Sequence, residues 1–135
     1  MNLILAILRT VPLFQSLTEE QHEAIMEHIT MEYYPTHYKL FEKGLVGDAM
    51  YIIKSGQIRI HNEEQDLATL GEGQFFGEMS LIEDQPRMAS AETLSDCEIF
   101  VLKREDFSEL MGKSPDIAQS VRAAYEARKA ENANN

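Results

Sequence analysis

Tryptophan is missing from these 135 residues, and cysteine occurs once, at Cys97. A single thiol cannot close an internal disulfide, so packing must hold the fold, and a reducing, cytoplasmic setting is expected. Basic side chains are scarce: 12 Lys plus Arg against 23 Asp plus Glu leave a formal charge of −11. A surface of that sign repels nucleic acid and anionic lipid at long range, so neither is expected as a partner. It does not exclude a small anion, which one desolvated Arg and a few aimed amides can hold. Long hydrophobic runs are lacking too. The opening Leu3-Ile4-Leu5-Ala6-Ile7-Leu8 is too short to span a bilayer. Arg9 follows it where a signal peptide would place a small-residue cleavage site, so a short helix packed on the domain is expected. Histidine is too sparse for metal chemistry. His22, His28, His37 and His61 form no His-x-His pair, and His22 and His28, six apart on an expected helix, diverge by roughly 240°. Neither a metal nor another cofactor is expected.

What is present has a clear order. Thr18-Glu19-Glu20-Gln21 places a hydroxyl three residues before Gln, the pattern of a capping box, and predicts a helix from about Glu19 to Ile29. Tyr33-Tyr34-Pro35 ends it. Short β-rich runs then recur between Gly-containing turns: Lys39 to Phe41, Met50 to Lys54, Gln57 to His61, Leu67 to Leu70, Ser90 to Glu92 and Glu98 to Leu102. Beyond Leu102 the apolar spacing turns helical, over Glu105 to Met111 and Ile117 to Lys129, with Pro115 at a helix start. The tail from Glu131 to Asn135 is expected to fray. With no repeat or linker, the reading is one α+β domain over 1–135. It consists of a helical segment over about 1–32, a jelly-roll-like β-roll or double-stranded β-helix over 33–102, and two helices over 103–130.

Chemistry concentrates in Phe75-Phe76-Gly77-Glu78-Met79-Ser80-Leu81-Ile82-Glu83-Asp84-Gln85-Pro86-Arg87-Met88-Ala89-Ser90. This stretch resembles the phosphate-binding cassette of the cyclic-nucleotide-binding domain family, in which a strand ends in Phe-Gly-Glu, one helical turn follows, and an Arg closes the cassette. Gly44 to Ile58 looks like the same family's glycine-punctuated strand pair, and the likeness covers nearly the whole chain. Taken singly, a Gly-Glu or a Pro-Arg is an ordinary turn or surface element. In this order and spacing they point to a nucleotide site.

The resemblance implies roles. Gly77 lets the backbone approach a sugar phosphate, and Glu78 would accept a hydrogen bond from the ribose 2′-hydroxyl. The turn Met79-Ser80-Leu81, after Phe76, would aim amides at the cyclic phosphate, with Ser80 N–H foremost. Arg87 would grip two phosphate oxygens with its planar fork, and Met88 and Ala89 would add a backbone N–H. Met88 offers no hydroxyl to a guanine amino group, so cAMP is favoured over cGMP, with another cyclic nucleotide left open. In the family the helix after the roll covers the base; here that lid role falls to Tyr125 and Val121.

The implied function is a sensor that captures cAMP and relays binding through its C-terminal helices to an effector protein, a fused domain or a second copy of itself. No catalytic residue is expected, because no His, Lys or Cys nucleophile accompanies the carboxylates of Glu78, Glu83 and Asp84. Two other readings stand beside it: a β-roll interaction module without nucleotide, and a cupin-type metalloenzyme, which shares the roll but needs clustered His ligands.

Overall fold

The capping box forms as the sequence demands. In the computed structural model, which describes residues 2–63 and 65–133, Thr18 Oγ1 accepts from Gln21 N at 3.2 Å and Gln21 Oε1 accepts from Thr18 N at 2.9 Å. They start helix α2, Glu19–Met26. Ahead of it lie α1, Leu3–Leu8, capped by the Asn2 side chain, and a short 3-10 turn over Pro12–Phe14. The opening apolar run therefore packs as a short helix, with Ile7 and Leu8 buried. Among the described residues no helix is long and apolar enough to cross a membrane.

Among the described residues eight strands follow: β1 Thr30–Tyr34, β2 Lys39–Phe41, β3 Ala49–Ser55, β4 Ile58–Asn62, β5 Gln65–Leu70, β6 Phe75–Phe76, β7 Ser90–Thr93 and β8 Cys97–Lys103. They form two four-stranded sheets in the orders β1-β8-β3-β6 and β2-β7-β4-β5, with every pairing antiparallel. Two helices close the chain, α3 Arg104–Lys113 and α4 Pro115–Ala133. This is the expected α+β roll with flanking helices. One boundary differs. The helical segment was expected to reach residue 32, but α2 ends at Met26 and β1 begins at Thr30, because Thr30 to Tyr34 pair with Val101 to Cys97 of β8. Such a long-range partner leaves no local signal. At the other end, α4 runs on to Ala133; residues 134–135 of the expected frayed tail lie outside the described residues.

The first sheet is covered on both faces, which is why β3 reads as a continuous apolar run. Its Met50 and Ile52 face a helical core with Leu8, Phe14, Ile25, Phe107, Ile117 and Val121. The alternate residues Ala49, Tyr51 and Ile53 face the roll interior with Ile58, Phe76, Cys97, Ile99 and Val101. Phe14 and Phe107 meet with ring centres 5.6 Å apart, an aromatic contact worth about 1 kcal/mol beyond its buried area. The roll is thus clamped to the helices through one face of its first sheet, and Leu81 of the segment after β6 joins the same helical core.

Candidate functional site

Gly77 opens the cassette at the end of β6. Its φ of +81° lies in the left-handed region that a side chain disfavours, and the backbone reverses there into a single 3-10 turn, Glu78–Leu81. Leu81 anchors that turn, fully buried in the helical core, and Met79 packs partly against the same core. Phe76 fixes the turn from the other side, its ring stacked on Tyr51 at 5.0 Å.

Arg87 is held by a second segment. Residues 44–47 run antiparallel to 85–87: Arg87 N donates to the Leu45 carbonyl at 2.7 Å, Gly44 N to the Arg87 carbonyl at 2.9 Å, and Gly47 N to the Gln85 carbonyl at 3.3 Å. Val46 and Pro86 form a bridge between them. The Arg87 side chain turns inward and is only 9% exposed. Its Nη2 donates to the Ala49 carbonyl at 3.0 Å, its Cζ stands 4.0 Å from the centre of the Phe41 ring, and its Nε is buried with no partner. Among the described residues Arg87 makes no ion pair. Desolvation pulls its pKa below the usual arginine value, with the nearby Tyr51 and Asp48 opposing that shift. Gly47 makes the room: a Cβ there would fall 2.5 Å from Arg87 Nε and closer still to Ser80 Oγ.

A hollow of about 190 Å³ opens over this arrangement, lined by Met79, Ser80, Glu83, Gln85, Pro86, Arg87 and Met88. The structure therefore brings together Arg87, Ser80, Met79 and Met88 of the expected set. Met88 is 85% exposed at its edge, and Ala89 is half-buried beside it. Other expectations need correction. Ser80 N–H donates to the Gly77 carbonyl at 3.1 Å, because a 3-10 turn spends its third amide on the residue three back. The turn's opening amides, of Glu78 and Met79, have no carbonyl within it to bond, and the Ser80 hydroxyl and the Arg87 guanidinium both lie close to Gly47. Glu78 does not line the hollow. Its carboxylate, 14% exposed, pairs with Arg128 of α4 at 3.6 Å. Val121 is fully buried in the helical core and presents no surface to a base. Tyr125 does not line the hollow, but its hydroxyl donates to Oε2 of Glu83, which does, at 3.3 Å.

Several contributors were not singled out from sequence: Phe41, Gly47 and Ala49 around the guanidinium, and Arg104. Arg104 Nη1 donates to the Glu83 carbonyl at 3.1 Å and to Asp84 Oδ1 at 3.2 Å, tying the cassette tip to the root of α3. Among the described residues no group of three His, Cys, Asp or Glu could hold a metal ion.

Comparison with known proteins gives a consistent result. The family profile described as "Cyclic nucleotide-binding domain" matches residues 31–114. The chain is 35% identical over 122 residues to the cyclic AMP receptor protein of Thermus thermophilus, covering 87% of this chain and 56% of that protein. It is 33% identical to the cAMP-dependent protein kinase regulatory subunit of Aspergillus fumigatus, covering 91% of this chain and 30% of that one. It also resembles the regulatory domain of Toxoplasma gondii PKA in its co-crystal with cAMP, with a TM-score of 0.72 and 28% identity over 80% of this chain and 43% of that one. The chain thus spans somewhat over half of the first of these curated relatives and less than a third of the second.

Proposed function

The chain belongs to the cyclic nucleotide-binding domain family, and we propose that within it this chain is a cAMP sensor, a binding unit without catalysis that hands its signal on through α3 and α4. One observation carries the reading: a desolvated guanidinium that makes no ion pair among the described residues, at a hollow beside the opening amides of a turn. Burying a charge costs several kcal/mol unless something answers it. A cyclic phosphate answers it by accepting two hydrogen bonds from the Arg87 fork and others from the Glu78 and Met79 amides.

The size of the hollow supports a division of labour. At about 190 Å³ it is smaller than the roughly 300 Å³ at which whole-ligand sites begin, so it suits the ribose phosphate and leaves the base outside. Leu45 and Val46, 59% and 51% exposed, pair through their backbone with the 85–87 segment, and Met88, 85% exposed, lines the hollow, so exposed apolar side chains lie near that edge. An adenine laid there meets thioether and methyl groups and no side-chain hydroxyl from Met88, which supports cAMP over cGMP. Glu78, next to Gly77 but outside the lining of the hollow, turns its free carboxylate oxygen to the ribose 2′-hydroxyl on binding, while Arg128 holds the other.

Binding draws the Arg87 fork and the turn onto the phosphate. Because Arg104, Tyr125 and Arg128 all reach from the helices to the cassette, a shift of the turn biases their packing, and ligand selects among existing arrangements. The effector is a partner protein, a fused domain or a second copy of the chain, in the cytoplasm. A ligand of about 22 heavy atoms at roughly 0.3 kcal/mol per atom gains about 7 kcal/mol, which corresponds to a Kd near micromolar. Calorimetric titration with cAMP tests the proposal. Wild type should bind with one site and Arg87→Leu should not; equal binding by both refutes the assignment.

A further inference from the structure

A second and larger space lies between the cassette turn and the C-terminal helices. It measures about 350 Å³. Leu81 and Ile82 of the cassette turn form one wall, Arg104 and Met111 of α3 the next, and Ala118, Arg122 and Tyr125 of α4 the third. Neither the nucleotide reading nor the core packing gives this space a task, since Met88 and Arg87 line the other hollow.

Its lining has two characters. Leu81 is fully buried, and Ile82 and Met111 pack partly against the same core, so one part of the cavity is apolar. The rest is cationic: Arg104 and Arg122 against the single carboxylate of Glu126 leave the lining net positive on a chain of formal charge −11. Arg104 spends one nitrogen on the cassette tip and retains other donors. Arg122 makes no ion pair among the described residues. Guanidinium groups beside an apolar floor fit a carboxylate or sulfonate bearing a hydrocarbon body. At roughly 30 Å³ per heavy atom, the volume of a liquid water, the cavity holds about a dozen such atoms.

We infer that the cavity between the cassette turn and helices α3 and α4 is a second binding site, for a small amphipathic anion of the medium-chain carboxylate class. The anion's head meets Arg122 and Arg104, and its tail lies on Leu81, Ile82 and Met111. The site does not require the nucleotide reading to hold.

Octanoate is the probe, followed by methyl and amide NMR of the full chain, with octylammonium as the control of opposite charge. Octanoate should perturb Leu81, Ile82 and Met111 saturably, and octylammonium should not. Arg122→Glu should weaken octanoate at least ten-fold, and Ala118→Trp, which fills the space, should abolish it while circular dichroism reports an intact fold. Arg87→Leu should leave octanoate binding unchanged, so that loss of cAMP binding and loss of this site are read separately. Equal perturbation by octylammonium, or octanoate binding unmoved by both Arg122→Glu and Ala118→Trp, overturns the inference.

Discussion

The Glu78 carboxylate stands 3.6 Å from the Arg128 guanidinium, so an acid at the root of the cassette is balanced from the last helix. Both groups are partly shielded, which makes the pair more than a solvated contact, yet its geometry leaves one carboxylate oxygen for a ligand hydroxyl. Glu78→Gln should weaken cAMP about ten-fold, the magnitude of one charge-assisted hydrogen bond. It should also erase the preference for cAMP over its 2′-deoxy analogue. Arg128→Gln should cost less, and the double variant should be no worse than Glu78→Gln alone, because both act through one carboxylate. Competition titrations of the three variants measure this; additive losses would separate the two residues.

Arg87 sets stability against function. Its contact with the Phe41 ring gains about 1–2 kcal/mol, while desolvating a guanidinium with a single backbone acceptor costs several. Desolvation wins. Arg87→Met, of similar length and uncharged, should therefore raise the ligand-free Tm by about 3–5 °C, equivalent to roughly 1 kcal/mol in a chain of this size. The same variant should lose the stabilisation that cAMP gives wild type in a thermal-shift assay. A lowered ligand-free Tm would show that the cation–ring contact dominates.

Much of this was legible in the residues themselves. Local signals were reliable: Thr18 with Gln21 formed its cap, Lys39 to Phe41 formed a strand with those bounds, and Gly77 took the left-handed conformation that starts the turn. Signals that depend on distant partners were not. Thr30 to Tyr34 become a strand through β8, about seventy residues on. Arg104, Tyr125 and Arg128 reach the cassette only through the placement of α3 and α4. Whether the Ser80 amide is free depends on the turn being 3-10, which residue type does not specify.

Two glycines should respond differently to alanine. At Gly47 the three atoms nearest the added Cβ belong to side chains, Ser80 Oγ and the Arg87 guanidinium, which can move aside. Gly47→Ala should change stability little while displacing the fork and weakening cAMP at least ten-fold. At Gly77 the backbone is left-handed, and the Cβ would fall 2.9 Å from the Ala49 carbonyl oxygen, which cannot yield. Gly77→Ala should cost about 1–2 kcal/mol of stability as well as binding. Urea unfolding alongside titration distinguishes the two patterns.

Cys97 is fully buried, and burial raises its thiol above the usual value. A raised pKa lowers the thiolate fraction at neutral pH, and thiolate is the reactive form. The native protein should therefore resist Ellman's reagent at pH 7.5, and one thiol per chain should react after unfolding in urea. Rapid labelling without denaturant would contradict the packing of Cys97 beneath Gly56.

Arg104 ties the cassette tip to α3 through the Glu83 carbonyl and the Asp84 carboxylate, at 3.1 and 3.2 Å. The Asp84 side chain is 82% exposed, so that ion pair alone contributes little. The carbonyl contact is better shielded and fixes the backbone of the segment leading to Arg87. Arg104→Gln can still reach one acceptor, whereas Arg104→Ala reaches neither. Amide hydrogen exchange over residues 82–86 should therefore accelerate strongly in Arg104→Ala and weakly in Arg104→Gln, with global stability nearly unchanged. If the tie positions Arg87 for ligand, cAMP affinity should fall in the same order. Unchanged exchange in Arg104→Ala would mean that the 44–47 segment holds the cassette without help from the helices, and that the signal leaves through Tyr125 and Arg128.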